Sequence, residues 1–190
     1  MKNSAYTYDY FLEAFDNAKQ TAANLTEAVP EEVFRRKPSE DKWGMGEILS
    51  HLVQAGNKYL PQIEQVLDKP DDKLAKGKEP FTPNFVMRWF IGQVSPENRR
   101  KLPTVSSFKP VEAEQISKQE LLNDFLKLQD DLIHFLKRAK LEGLDLDRIR
   151  SWNPVVKIVP MSLTAFFGVL EAHQRRHFEQ MEALRERFNQ

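Results

Sequence analysis

Residues 42–52 run Lys42-Trp43-Gly44-Met45-Gly46-Glu47-Ile48-Leu49-Ser50-His51-Leu52. Met45, Ile48, Leu49, Leu52 and Val53 recur at the spacing of one helical face, and Tyr59 and Leu60 continue it. Gly44 is an acceptable N-cap. Glu47, three residues on, supplies the acidic half of a capping box without the hydroxyl half. A helix therefore begins after Trp43, and Pro61 either stops it or kinks it. His51 lies on the flank of the stripe, between Ile48 and Ala55, from where it can point into a groove between helices.

Three more segments carry the same period. Upstream, Tyr8, Phe11, Leu12, Phe15, Ala18, Ala22 and Leu25 predict a helix over roughly 8–28, stopped by Pro30. Downstream, Ser117 and Glu120 form a full capping box. Leu121, Leu122, Phe125, Leu128, Leu132, Phe135 and Leu136 follow, and Gly143 marks the end. The last helix starts after Pro160, with Ser162 as N-cap. Leu163, Phe166, Phe167, Leu170, Met181, Leu184 and Phe188 carry its stripe. Val155 to Val159 is β-prone but lies between Pro154 and Pro160, so it reads as an extended connection outside any sheet. The long connection from 61 to 116 is rich in proline. Phe85 to Ile91 within it predicts a short extra helix. Such a connection can cross the molecule and leave helices two and three parallel.

The pattern is that of an all-α chain. Its 190 residues are the size of one ordinary domain, which we take as 1–190. With 41% hydrophobic residues and 13 Phe, the chain can build a sizeable core. Lys and Arg number 28, as do Asp and Glu, so the electrostatic footprint of a nucleic-acid binder is missing. No run approaches ~18 apolar residues, which argues against a membrane span. The N-terminal stretch has no secretory pattern, so the expectation is a cytoplasmic protein. Cysteine is absent, which removes disulfides, iron–sulfur clusters and thiolate metal sites. Any metal must be held by His, carboxylate or backbone groups, and any thiol must come from outside the chain.

Four histidines remain to be placed. His173 and His177 are i and i+4, stacked one turn apart in a gap of the last helix's apolar stripe. Two imidazoles facing a core are costly as cations and need partners as neutrals. A shared divalent ion meets both demands, although a pair of hydrogen-bonded core histidines is the plainer alternative. His134 shares a face with Asn123, Lys127, Asp130 and Asp131 and reads as a surface residue. Glu47 can reach a metal or orient His51, but the capping role is simpler. Arg175 and Arg176 point away from the His face by the helical wheel. Tyr59, Trp89 and Trp152 are candidates for the wall of a pocket, or else core aromatics.

Residues 42–52 resemble the second-helix signature of the DinB-like superfamily: Lys-Trp, a small capping residue, Glu, and a His flanked by leucines. Glu171-Ala172-His173-Gln174-Arg175-Arg176-His177 resembles that family's last-helix HxxxH element. The resemblance implies an up-down-down-up four-helix bundle. It also implies a metal held by His51, His173 and His177, and often a homodimer. One departure is Gly44, where the family usually has Ser or Thr.

Zinc, nickel, iron and manganese are the candidate metals. Three neutral His leave open positions that can take water, carboxylate or thiolate. Family members that use low-molecular-weight thiols suggest a metal-dependent transferase acting on a small-molecule substrate with an external thiol. A metal-dependent hydrolase and a non-catalytic scaffold or interaction module stay open, because no general base is identifiable.

Overall fold

The computed structural model describes residues 5–70, 73–100, 110–111, 117–154 and 158–188. The elements are α1 (Tyr8–Glu27), α2 (Glu31–Arg35), α3 (Met45–Leu67), α4 (Phe85–Val94), α5 (Lys118–Leu141), β1 (Arg150–Trp152), β2 (Pro160–Ser162) and α6 (Leu163–Phe188). The chain is mostly helical.

The boundaries follow from local chemistry. The Thr7 hydroxyl accepts from the Tyr10 N–H at 3.0 Å and caps α1. The Asn84 Oδ1 accepts from Met87 N–H and starts α4, close to the segment the apolar run predicts. Ser117 Oγ accepts from Glu120 N–H and starts α5. That helix ends in a Schellman motif, with Gly143 N–H donating to Lys140 O and Leu144 N–H to Ala139 O. The motif needs a left-handed residue, and Gly143 supplies it at φ 61. The Ser162 Oγ accepts from Ala165 N–H at the start of α6. α3 runs through Pro61, so the proline is inside the helix and does not stop it.

Gly44 caps α3 for a packing reason. A Cβ there would meet the Arg36 carbonyl oxygen at 2.5 Å, so the Ser or Thr usual in the resembling family would not fit. Glu47 compensates: its Oε2 accepts from the Gly44 N–H at 2.9 Å. The capping reading of Glu47 is the observed one.

The sequence reading missed two short elements. One is a small antiparallel hairpin in which Arg150 faces Ser162 and Trp152 faces Pro160. Asn153 N–H donates to Val159 O just inside it. Ile158 and Val159 lie outside both strands, in line with an extended connection, and residues 155–157 lie outside the described residues. The short helix α2 was not foreseen, since five residues are too few to show a period.

α1 and α3 each pack against both α5 and α6, and α4 packs chiefly on α6. Tyr59 meets Phe166 and His51 meets His173 and His177, so α3 and α6 run antiparallel past one another. Two apolar clusters fill the interior. The larger holds Phe11, Phe15, Ile63, Phe81, Phe166 and Phe167. The smaller holds Phe34, Met45, Leu49, Phe125 and Met181. The tyrosine hydroxyl of Tyr8 donates to the carbonyls of Ala139 and Leu144, tying the start of α1 to the end of α5. Among the described residues, no helix is long and apolar enough to cross a membrane.

Candidate metal centre

α3 and α6 bring His51, His173 and His177 together between the two apolar clusters. His51 and His177 are buried, and His173 is partly open to a cleft. His173 Nε2 lies 3.1 Å from His51 Nε2 and 3.0 Å from His177 Nε2. The ring centroids are 4.5 to 4.9 Å apart, all three pairs meeting edge to face. Among the described residues, this is the one set of three or more potential metal donors within 4.8 Å of each other. His134 is exposed on α5, as its polar neighbours predict.

The donor set suits a cation. His177 Nδ1–H donates to Gln180 Oε1 at 2.8 Å, which leaves the His177 Nε2 lone pair directed at its neighbours. A ring nitrogen carries either one hydrogen or one lone pair, so His173 Nε2 cannot bond fully to both others. A divalent ion with bonds of ~2.1 Å separates adjacent nitrogens by ~3.0 Å in octahedral and ~3.4 Å in tetrahedral geometry. The observed separations sit at the lower of these values. The three residues could therefore hold a metal through their Nε2 atoms.

Electrostatics favour the neutral form that ligation requires. Burial pushes the His173 imidazole well below its usual range, and His177, His51 and Arg176 add to the effect. Burial likewise lowers His177, to about 3, with His51 and Arg176 assisting and the Gln180 bond opposing.

Trp43 covers the cluster, its ring centroid 4.9 Å from that of His51 and 6.4 Å from that of His177. The cleft in front has a volume of 1050 Å³. Tyr59 and Trp89 line it, as pocket walls should, whereas Trp152 does not.

Arg175 keeps to the surface role the wheel assigns, pairing with Glu171 at 2.6 Å and Glu97 at 3.2 Å. Arg176 does not. It lines the cleft, and its guanidinium donates to the carbonyls of Ser95 at 3.1 Å, Asn98, and Arg100 at 2.6 Å. The reason is angular: a residue three places after His173 is only ~60° away around the helix. Gln180 was also missed, although its i+3 spacing from His177 is the signal that finds it.

A sequence profile of the DinB superfamily matches residues 14–181, a span that includes all three histidines. The chain belongs to the DinB superfamily. No curated protein and no solved structure matches this DinB-superfamily chain.

Proposed function

We propose that this DinB-superfamily protein binds one divalent metal ion through His51, His173 and His177, and is a metal-dependent enzyme of thiol-transferase type. The observation that carries the reading is the convergence of three ring nitrogens at 3.0 and 3.1 Å, with the His177 Nδ1 already committed to Gln180. A bound divalent ion supplies Lewis acidity, which lowers the pKa of a thiol or water at an open position. The chain's own residues do the rest. Gln180 orients His177, and Trp43 shields the cluster on one side. Burial, with Arg176 adding to it, favours the unprotonated form of His173 and His177. The chain has no cysteine, so the thiol is an external low-molecular-weight one. The second substrate is a small molecule seated in the cleft.

The same reading takes 1–190 as one domain with its long helices in an up-down-down-up bundle, forming a homodimer in the cytoplasm. Zinc, nickel, iron and manganese are the candidate ions. A hydrolase is the second reading, favoured by the openness of the cleft to water. Asp41, whose Oδ1 accepts from the Ser39 hydroxyl, is the one carboxylate among the described lining residues.

Metal analysis of the purified chain by mass spectrometry tests the centre. Near-stoichiometric metal that is lost in His173→Ala is the expected result, and a chain that neither carries nor takes up metal rejects it. Turnover of electrophiles that requires added thiol separates transferase from hydrolase.

A further inference from the structure

The cleft changes character along its length. Val169 and Arg187 of α6 both line it, so it follows that helix for roughly 27 Å at 1.5 Å per residue. His173 and His177 lie in the middle. Towards the start of α6 the walls are Tyr59, Val86, Trp89, Phe90, Val159 and Met161. The polar groups on that side are the Tyr59 hydroxyl, Gln93 of α4, and Asn153, whose amide nitrogen lies 2.8 Å from the Met161 sulfur. Towards the end of α6 the lining is mixed: Pro38, Ala183 and Leu184 stand among Lys42, Asp41, Gln180 and Arg187. Arg36 over the Phe188 ring holds the chain before α3 against that end.

The apolar arm is unfinished as a piece of core. Trp89 is 53% exposed and Val86 59%, although both line a concave surface that ends at three imidazoles. Scattered apolar residues on a convex surface need no explanation. Apolar residues converging on a cleft with a polar floor mark a ligand site. The charged arm offers such a ligand less, because its apolar body would strip water from Lys42, Asp41 and Arg187, which stand among the apolar residues there.

We propose that the non-thiol substrate is an uncharged, apolar small molecule that lies in the arm between α4 and the α3–α6 pair, against Tyr59 and Trp89. Its reactive end reaches His173, and the basic arm is left for the polar partner. The assignment of a reactive end rests on the metal-enzyme reading above. The binding of an apolar body does not, because it uses α4, Tyr59 and the hairpin and none of the histidines.

The test is calorimetric titration of the chelator-treated full chain with hexanol, octanol and decanol. Affinity rises roughly 4-fold for each added methylene if the chain enters the arm. Trp89→Ala and Val86→Asp, both at exposed positions, each weaken decanol five-fold or more. Arg187→Glu, in the other arm, leaves decanol unchanged. Equal affinity for the three alcohols overturns the proposal, as does indifference to both α4 variants, or a loss in Arg187→Glu as large as in Trp89→Ala. Because the protein is stripped of metal, an absent metal centre leaves this result standing, and a failed titration leaves the metal centre standing.

Discussion

Two of the buried polar groupings on α6, one turned towards α3 and one towards α5, are built on different rules. On the α5 side, Gln174 Nε2 donates to Gln129 Oε1 at 3.2 Å. Gln129 is fully buried, and its own Nε2 has no partner among the described residues. That pair is a neutral amide–amide contact, with the Gln129 N–H donors left over. On the α3 side, three imidazoles converge on His173 Nε2, which cannot bond fully to both neighbours, and His173 is partly open to the cleft. A polar group buried for packing needs only its partner. A polar group buried for chemistry keeps a vacant valence and a route to solvent.

The largest expected effect that separates the two is the response to metal. With free ion a thousand-fold above its dissociation constant, the metal-loaded protein should be about 4 kcal/mol more stable than the stripped one. His51→Ala should abolish that gap, and replacing both glutamines by Leu should leave it intact. Denaturant titrations with and without chelator measure it, and an equal gap in all three proteins breaks the comparison.

Acidity should also act on the α3 side. In the stripped protein His177 titrates at about 3, and His173 well below the usual range. Imidazoles in an unfolded chain titrate near ~6.5. The unfolded state then binds more protons between these limits, so stability falls as pH drops from about 6.5 towards 3. Glu171 works in the opposite direction, since burial raises its carboxyl above the ordinary value and favours the folded state as pH falls. The denaturant midpoint of the stripped protein should be lower at about pH 5 than at neutrality, and His177→Gln should reduce the difference. His173 keeps its own share, so a reduced slope is expected, and a slope as steep as in the parent assigns the effect outside the cluster.

Smaller effects sharpen the contrast. Gln180→Leu keeps all three ligands but releases His177 Nδ1, and should weaken metal affinity about 10- to 100-fold. Competition with a colorimetric chelator reads this directly. Gln174→Ala should cost about 1–3 kcal/mol, because it leaves buried Gln129 without its bond, while metal content stays unchanged. The Gln129→Leu/Gln174→Leu double variant should recover most of that loss. If it does not, the pair contributes more than a neutral contact.

The elements that sequence reading located are those with enough length to show a period and a chemical stop at each end. Ser117, Gly143 and Ser162 each do in space what their types predict, with the Ser117 half of the capping box in place. α2 and the hairpin escaped because five-residue and three-residue elements cannot display periodicity. The three-residue strands also owe their pairing to partners across a loop. At the site, the spacing of His173 and His177 was visible because both lie on one helix. The burial of His51 was not, since a flank position is closed or open according to the helix set against it. Arg176 was misplaced because a wheel gives direction from one axis and says nothing of the backbone carbonyls that wait beside it.

Those carbonyls give Arg176 two duties. The side chain that helps keep His173 and His177 uncharged also anchors the segment at residues 95–100, where α4 ends. The electrostatics of the floor and the anchoring of the wall are thus carried by one side chain, and a change at this position alters both in a single step.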